Sequence, residues 1–141
     1  MNIYHVKLVK EELNGDYYRK VSSPSDAGKI LKEYIGYADR EHFVVLCLNT
    51  KNKITGIHTV SIGSLNSSLV HPREVFKVAL LSNSASIIVG HNHPSGDTTP
   101  SQEDREVTQR LKKAGKLLGI EILDHLIIGD GTYSFATNGE L

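Results

Sequence analysis

His91 and His93, in the stretch Gly90-His91-Asn92-His93-Pro94-Ser95-Gly96-Asp97, stand one residue apart behind the apolar run Ile87-Ile88-Val89. Imidazoles at i and i+2 of an extended segment share a face. They lie about 6–7 Å apart along the strand, close enough for both rings to converge on one cation. Two histidines do not complete such a site, because a catalytic zinc takes three protein ligands and leaves the fourth position to water. The third ligand has to be a carboxylate, histidine or thiolate that a turn brings back, and residues 94–100 read as that turn. Beyond it stand Ser101-Gln102-Glu103-Asp104. Serine at an N-cap with an acid three residues on is an ordinary capping arrangement. It is also compatible with ligation: a first helical turn facing the strand end presents Asp104 to the histidines, with Ser101 beside them as a hydroxyl donor. Asp97 is the rival carboxylate, although next to Gly96 it also reads as a turn former that bonds its own backbone.

A hydrolytic metal site needs a base for its water. Glu41 lies immediately before the apolar segment His42–Leu48. Neighbouring central strands could set it opposite the histidines, and spacing alone also allows a solvated strand end.

Several elements must position these groups. Ser22-Ser23-Pro24-Ser25-Asp26 reads as a helix start, with Ile30, Leu31, Tyr34 and Ile35 as its apolar face and Gly36 as its end. His42–Leu48 is short and rich in Val, Phe and Leu, as a buried strand is. Ile54–Ile62 returns as a second strand after a polar turn. His71-Pro72-Arg73-Glu74 opens a helix through Leu81, with Pro72 near N1, where its missing N–H costs little. His71 and Arg73 are read as part of that helix start. Ser86–Val89 is a third strand, which delivers the two histidines. The longest helix runs from Pro100-Ser101 to about Leu118, with Val107, Leu111, Ala114 and Leu118 on one face. Glu121–Ile128 is a fourth strand and Tyr133–Ala136 a short last one. His125, inside the fourth strand, reads as a hydrogen-bonded core histidine. Ile3–Val21 alternates weakly around Asn14-Gly15, a two-residue hairpin signal, and reads as a β-hairpin of residues 1–21 appended to a core of residues 23–137. Strands mixed with helices imply a single α/β domain, a mixed central sheet flanked by helices.

The chain has 141 residues, enough for one domain with a sizeable core. Lys plus Arg equals Asp plus Glu, 16 against 16, so no whole-chain field favours nucleic acid or an anionic membrane. Direct DNA binding by this chain is accordingly not expected. Cys47, the one cysteine, sits in an apolar run and reads as a buried thiol. There is no signal-peptide core and no run long enough to span a membrane, so a cytoplasmic location is expected.

The pattern His91-Asn92-His93-Pro94, then six residues, then Ser101-Gln102-Glu103-Asp104 resembles the His-x-His-Pro…Ser-x-x-Asp signature of the JAMM (MPN+) metalloproteases. The fuller run HNHPSGDTTPSQEDREVTQRLKKAGKLLGIEILDHLIIG is similar to the bacterial RadC branch. So are VHPREVFKVAL, residues 70–80, and EHFVVLCLNTKNKI, residues 41–54. The resemblance covers roughly residues 23–136.

It implies a cytidine-deaminase-like (JAB/MPN) fold. It also implies one zinc ion per chain on His91, His93 and Asp104, with Glu41 as general base and Ser101 bonding the tetrahedral intermediate. The implied reaction is cleavage of an amide or isopeptide bond in a protein or peptide substrate, in proteins linked by name to DNA repair. The resemblance favours Asp104 over Asp97, and it assigns His125 no role. Longer RadC proteins carry an N-terminal helical region resembling a DNA-binding helix-hairpin-helix domain. This chain has only residues 1–21 there, and its Met1 reads as the start of a stand-alone short form.

Other expectations stand beside the hydrolase. One is a metal-stabilised interaction module in DNA-repair or mobile-element complexes, without turnover. An HNH nuclease is disfavoured, because that name refers to residues spread along a ββα element. A zinc deaminase is disfavoured because one cysteine cannot supply its Pro-Cys-x-x-Cys half. His plus carboxylate also suits divalent ions other than zinc. A sheet edge at the N-terminal hairpin could pair chains into a homodimer.

Overall fold

The computed structural model describes residues 1–13, 20–63 and 70–141. Three helices, α1 (Pro24–Ile35), α2 (Pro72–Leu81) and α3 (Gln102–Leu118), surround a sheet of five strands. The strands are β1 (His42–Leu48), β2 (Ile54–Ile62), β3 (Ser86–Asn92), β4 (Glu121–Ile128) and β5 (Thr132–Ser134). Their order is β2-β1-β3-β4-β5. The pair β3–β4 is parallel, and β1–β2, β1–β3 and β4–β5 are antiparallel. A parallel pair needs a long crossover, and residues 93–120, with α3 among them, supply it.

The sheet is covered on both faces, which is why β1 and β3 read as unbroken apolar runs instead of alternating ones. On one face Val75, Phe76 and Ala79 of α2 and Val107 and Leu111 of α3 meet Phe43, Val45, Cys47, Ile87 and Val89. On the other, Ala27, Ile30, Leu31 and Ile35 of α1 meet Val44, Leu46, Ile88, Leu126 and Ile128. Gly90 permits α1 to sit this close, because a Cβ there would stand 2.5 Å from Leu31 Cδ1. Helix α1 starts on a capping box of Ser23 and Asp26, and α3 on one of Ser101 and Asp104. Gly119 closes α3 in the left-handed region at φ 73°. Cys47 is buried, as its neighbours require. Among the described residues no helix is long and apolar enough to cross a membrane.

Three sequence expectations are corrected. The appended hairpin is not formed among the described residues. Residues 1–13 hold no strand, and Lys20 makes a single bridge with Lys53. Apolar side chains of that segment fall on both sides of the would-be strand, and Ile3, Tyr4, Val6 and Val9 are all exposed. Asn14-Gly15, its expected turn, lies outside the described residues. The buried stripe of α3 is Asp104, Val107, Thr108, Leu111 and Gly115, and Leu118 is 45% exposed. Leu118 keeps the angular position of the stripe but is the last residue of the helix, beside the Gly119 cap. The final strand also ends at Ser134, because Ala136 to Gly139 turn back in backbone bonds.

Candidate metal centre

Strand β3 runs to Asn92, past the point where its apolar residues stop, and ladder pairing sets His91 opposite Phe43 of β1 and beside Ile127 of β4. His93 follows directly, held to β4 by its N–H donating to the Ile128 carbonyl at 2.8 Å. Alternation therefore turns both imidazoles to the α3 face. The turn after them is folded tightly. The Gly96 N–H returns to the His93 carbonyl at 2.9 Å, and Gly96 has φ 89°, where a Cβ would also stand 2.7 Å from the Asp130 carboxylate. Only glycine meets both demands.

That turn delivers the first turn of α3. Its capping box works in both directions: Asp104 N–H donates to Ser101 Oγ at 3.1 Å, and Ser101 N–H donates to Asp104 Oδ2 at 2.8 Å. The same carboxylate faces the histidines. His91 Nε2 is 3.1 Å from Asp104 Oδ1, His93 Nε2 is 3.2 Å from Asp104 Oδ2, and the two Nε2 atoms are 3.1 Å apart. Capping and clustering are compatible because they use different oxygen lone pairs of one buried carboxylate.

These three residues form a group able to hold a metal ion. The donor set fits zinc. Ligand atoms on a tetrahedral zinc at about 2.0–2.1 Å stand about 3.3–3.4 Å from one another, close to the spacings here. With neutral rings whose hydrogen is on Nδ1, every atom turned inward is an acceptor, and three acceptors so close repel unless a cation lies among them. Protons answer part of that demand. The Asp104 hydrogen bond, against the cost of burial, raises the His93 imidazole above its ordinary value, and the Asp97 carbonyl and the Glu41 charge add to it. Burial pushes the Asp104 carboxyl up, but bonds from His91 and His93 more than reverse this and hold it far below the usual carboxylate range.

The surrounding contacts assign places to the other candidates. Asp97 spends its carboxylate on Thr99, whose N–H and Oγ lie 2.9 and 2.7 Å from Oδ1, and it stands outside the cluster. Its backbone carbonyl nonetheless accepts from His93 Nδ1 at 2.7 Å, which leaves Nε2 to face Asp104. His71 caps α2 without a side-chain bond, and Arg73 is exposed in the first turn. His125 is completely buried, its Nε2 2.8 Å from His91 Nδ1 and its Nδ1 2.6 Å from Thr108 Oγ1. It is a hydrogen-bonded core histidine, as expected, but its partner is one of the clustered rings. Burial, then the neighbouring His91 charge, holds its imidazole well below its ordinary value.

Glu41 precedes β1 and is half-buried. Continuing the β1–β3 register two positions beyond Phe43–His91 sets position 41 across from position 93, on the same face. The loop carrying it is clamped by Asn92, which points to the opposite face from the histidines. Asn92 Oδ1 accepts from His42 N–H at 2.7 Å, and Nδ2 donates to the carbonyls of Arg40 at 3.1 Å and Ala38 at 3.5 Å. The Glu41 carbonyl accepts from Gly63 N–H at 2.8 Å.

Sequence reasoning assigned no part to Asn92, Thr108 or the Asp97 carbonyl. Thr108 offered a signal, a polar residue four places after Asp104 on what had to be the buried stripe. A small cavity beside His91 and Asp104 is bounded by Phe43, Val70, Glu103 and Val107. A larger one of about 370 Å³ lies between α1 and β5, lined by Lys29, Lys32, Thr132 and Asn138, away from these groups.

Comparison with known proteins agrees with this geometry. A sequence model described as the RadC-like JAB domain matches residues 21–140. The chain is 54% identical over 121 residues to a UPF0758 protein of Rubrobacter xylanophilus, covering 86% of this chain and 53% of that one. A UPF0758 protein of Caldanaerobacter subterraneus is 61% identical over 111 residues, 79% of this chain and 48% of its own length. One of Clostridium kluyveri is 55% identical over 127 residues, covering 90% of this chain and 55% of that protein. The chain spans about half the length of the curated relatives it matches. A family match that takes in all three helices and all five strands, on a sheet that gathers His91, His93 and Asp104, leads to one conclusion: the chain belongs to the RadC family of JAB/MPN domains.

Proposed function

We propose that this domain is a zinc-dependent hydrolase of the JAMM type that cleaves a peptide or isopeptide bond. The observation that carries the proposal is the triangle of His91 Nε2, His93 Nε2 and Asp104 Oδ, with edges of 3.1–3.2 Å, at the end of a central strand. Those three residues would hold the ion, which when bound would supply Lewis acidity and lower the pKa of a water toward about 7. Glu41 takes the proton of the attacking water and returns it to the leaving amine. Its support is the β1–β3 register and the charge felt at His93. Ser101 Oγ spends a lone pair on the Asp104 N–H, so its hydrogen remains to donate to the oxyanion of the substrate carbonyl. A well-placed donor of this kind contributes about 3–4 kcal/mol.

Metal analysis of the purified protein tests the proposal. The wild type is expected to hold near-stoichiometric zinc, and His93→Ala and Asp104→Ala to lose it. Glu41→Gln is expected to keep the metal and lose turnover of a peptide or isopeptide substrate by at least about 10²-fold. Absence of zinc from wild type after it is offered removes the hydrolase. Zinc retained without any cleavage favours a metal-stabilised interaction module.

A further inference from the structure

His125 and Thr108 lie behind the cluster and take no part in the reaction above. Both are buried, at 0% and 1% exposure. The His125 ring stacks on Phe135 at 4.7 Å with planes 12° apart, and Phe43 meets it edge-on at 5.7 Å. Phe43 also stacks on His91 at 6.0 Å. The rings are therefore fixed by packing, and their hydrogen bonds form one chain with a readable direction.

The chain is read from its far end. The Asp104 carbonyl can only accept, so Thr108 Oγ1 donates its one hydrogen to it at 2.8 Å. Oγ1 then has only lone pairs for His125, so His125 Nδ1 is the N–H at 2.6 Å. Neither partner of His125 is an anion, and a neutral ring that donates from Nδ1 carries a lone pair on Nε2. That lone pair can only accept, so His91 Nδ1 donates across the 2.8 Å contact. In the neutral ring, the form that can ligate a cation, His91 Nε2 is left with its lone pair directed at His93 and Asp104, and only when protonated does it donate to Asp104. Reversed, the Thr108 hydrogen would go to His125, and His91 would point an N–H into the cluster. The chain also begins and ends on two corners of the triangle, the His91 ring and the Asp104 backbone.

We propose that His125 and Thr108 are positioning residues, a relay that sets the tautomer of His91 and ties β3 to the first turns of α3 so that His91 and Asp104 present lone pairs to one cation. The inference rests on the metal-site reading proposed above. It extends that reading from the three ligands to the groups that orient one of them. Partners of this kind are worth about 10–100-fold in metal affinity.

Thr108→Val keeps the volume and removes the hydroxyl, whereas Thr108→Ser keeps the hydroxyl. His125→Gln can restore an acceptor near the Nε2 position, and His125→Leu cannot. Zinc affinity is measured by competition with a chromophoric chelator. Cobalt(II) absorption reports ligand geometry, and ¹⁵N chemical shifts of labelled histidines report the tautomers. Thr108→Val and His125→Leu are expected to weaken zinc binding about 10–100-fold and change the cobalt spectrum. Thr108→Ser is expected to bind as wild type, and His125→Gln more tightly than His125→Leu. Wild-type His125 is expected to carry its hydrogen on Nδ1. A folded Thr108→Val that binds zinc like wild type overturns the relay and leaves the metal site standing. A wild type that takes up no zinc overturns the metal site and the relay together. If Thr108→Val does not fold, the wild-type ¹⁵N spectrum is decisive, and a His125 protonated on Nε2 overturns the relay.

Discussion

Ser101 has two duties that belong to different parts of one hydroxyl. Its oxygen caps α3 by accepting from Asp104 N–H, and its hydrogen is the proposed oxyanion donor. Substitutions separate the two. Replacing an N-cap serine by alanine costs about 1 kcal/mol, while glycine costs only a few tenths. Ser101→Ala and Ser101→Gly should therefore lose the same 10²–10³-fold in turnover, the usual range for one oxyanion donor, and differ in thermal stability. Equal melting temperatures would show that the cap contributes nothing, and unimpaired turnover in both would remove the oxyanion role. Asp104 is likewise legible two ways from sequence, as an N3 capping acid and as a candidate ligand, and in the fold it caps α3 while its carboxylate faces the two histidines. Asp97 was legible as a turn former, and its carboxylate does only that. What its backbone carbonyl does for His93 leaves no trace in residue type.

The element that organises the centre is β3. Its alternation sends His91 and His93 to α3 and Asn92 to the loop before β1. One strand thereby holds the proposed ligands with one face and the segment bearing Glu41 with the other. Asn92→Ala should leave the histidines in place but strand the His42 N–H. The expected cost is about 1–3 kcal/mol of stability, the price of an orphaned buried donor. Zinc content should stay stoichiometric. Turnover should fall about 10²-fold, because a 1 Å displacement of a catalytic group costs that much. Loss of zinc along with turnover would instead make Asn92 part of the metal-holding framework. The strand and helix limits were legible at this level: β1, β2 and β4 occupy the segments their composition marks. Of the expected N-terminal hairpin, residues 1–13 hold no strand, and its turn lies outside the described residues.

For the whole domain, the proposed metal would compete with protons for one cluster, and stability should follow. Asp104 is held below its ordinary 3.8, so its contribution is present above 3.8 and is lost as pH falls through the lowered value. His93 is held above its ordinary 6.5, so its contribution is complete below 6.5 and is lost as pH rises through the raised value. The metal-free protein thus draws most from the pair between pH 3.8 and 6.5. Zinc requires unprotonated imidazoles, so its stabilisation should grow as pH rises. At a hundredfold excess over Kd the gain is about 2.7 kcal/mol, roughly 10 °C in Tm for a domain of this size. Melting curves from pH 5 to 8, with zinc and with chelator, check this. A zinc-induced shift that shrinks toward pH 8 would contradict the assignment of the two histidines.

Much of this domain was determined locally. Apolar runs, capping residues and helix-ending glycines act within a few positions, so the elements, the α/β class and the pairing of His91 with His93 on one face follow from the order of residues. The spacing to Ser101 and Asp104 marks the candidate site for the same reason. Long-range pairing decided the rest. The register of β1 on β3 brings Glu41 across from His93, fifty-two positions away in sequence. The parallel pairing of β3 with β4 sets His125 behind His91, and the packing of α3 closes the bond through Thr108 to Asp104. A hydrogen bond between buried groups exists only when separate elements dock at one spacing, and no single segment encodes that spacing.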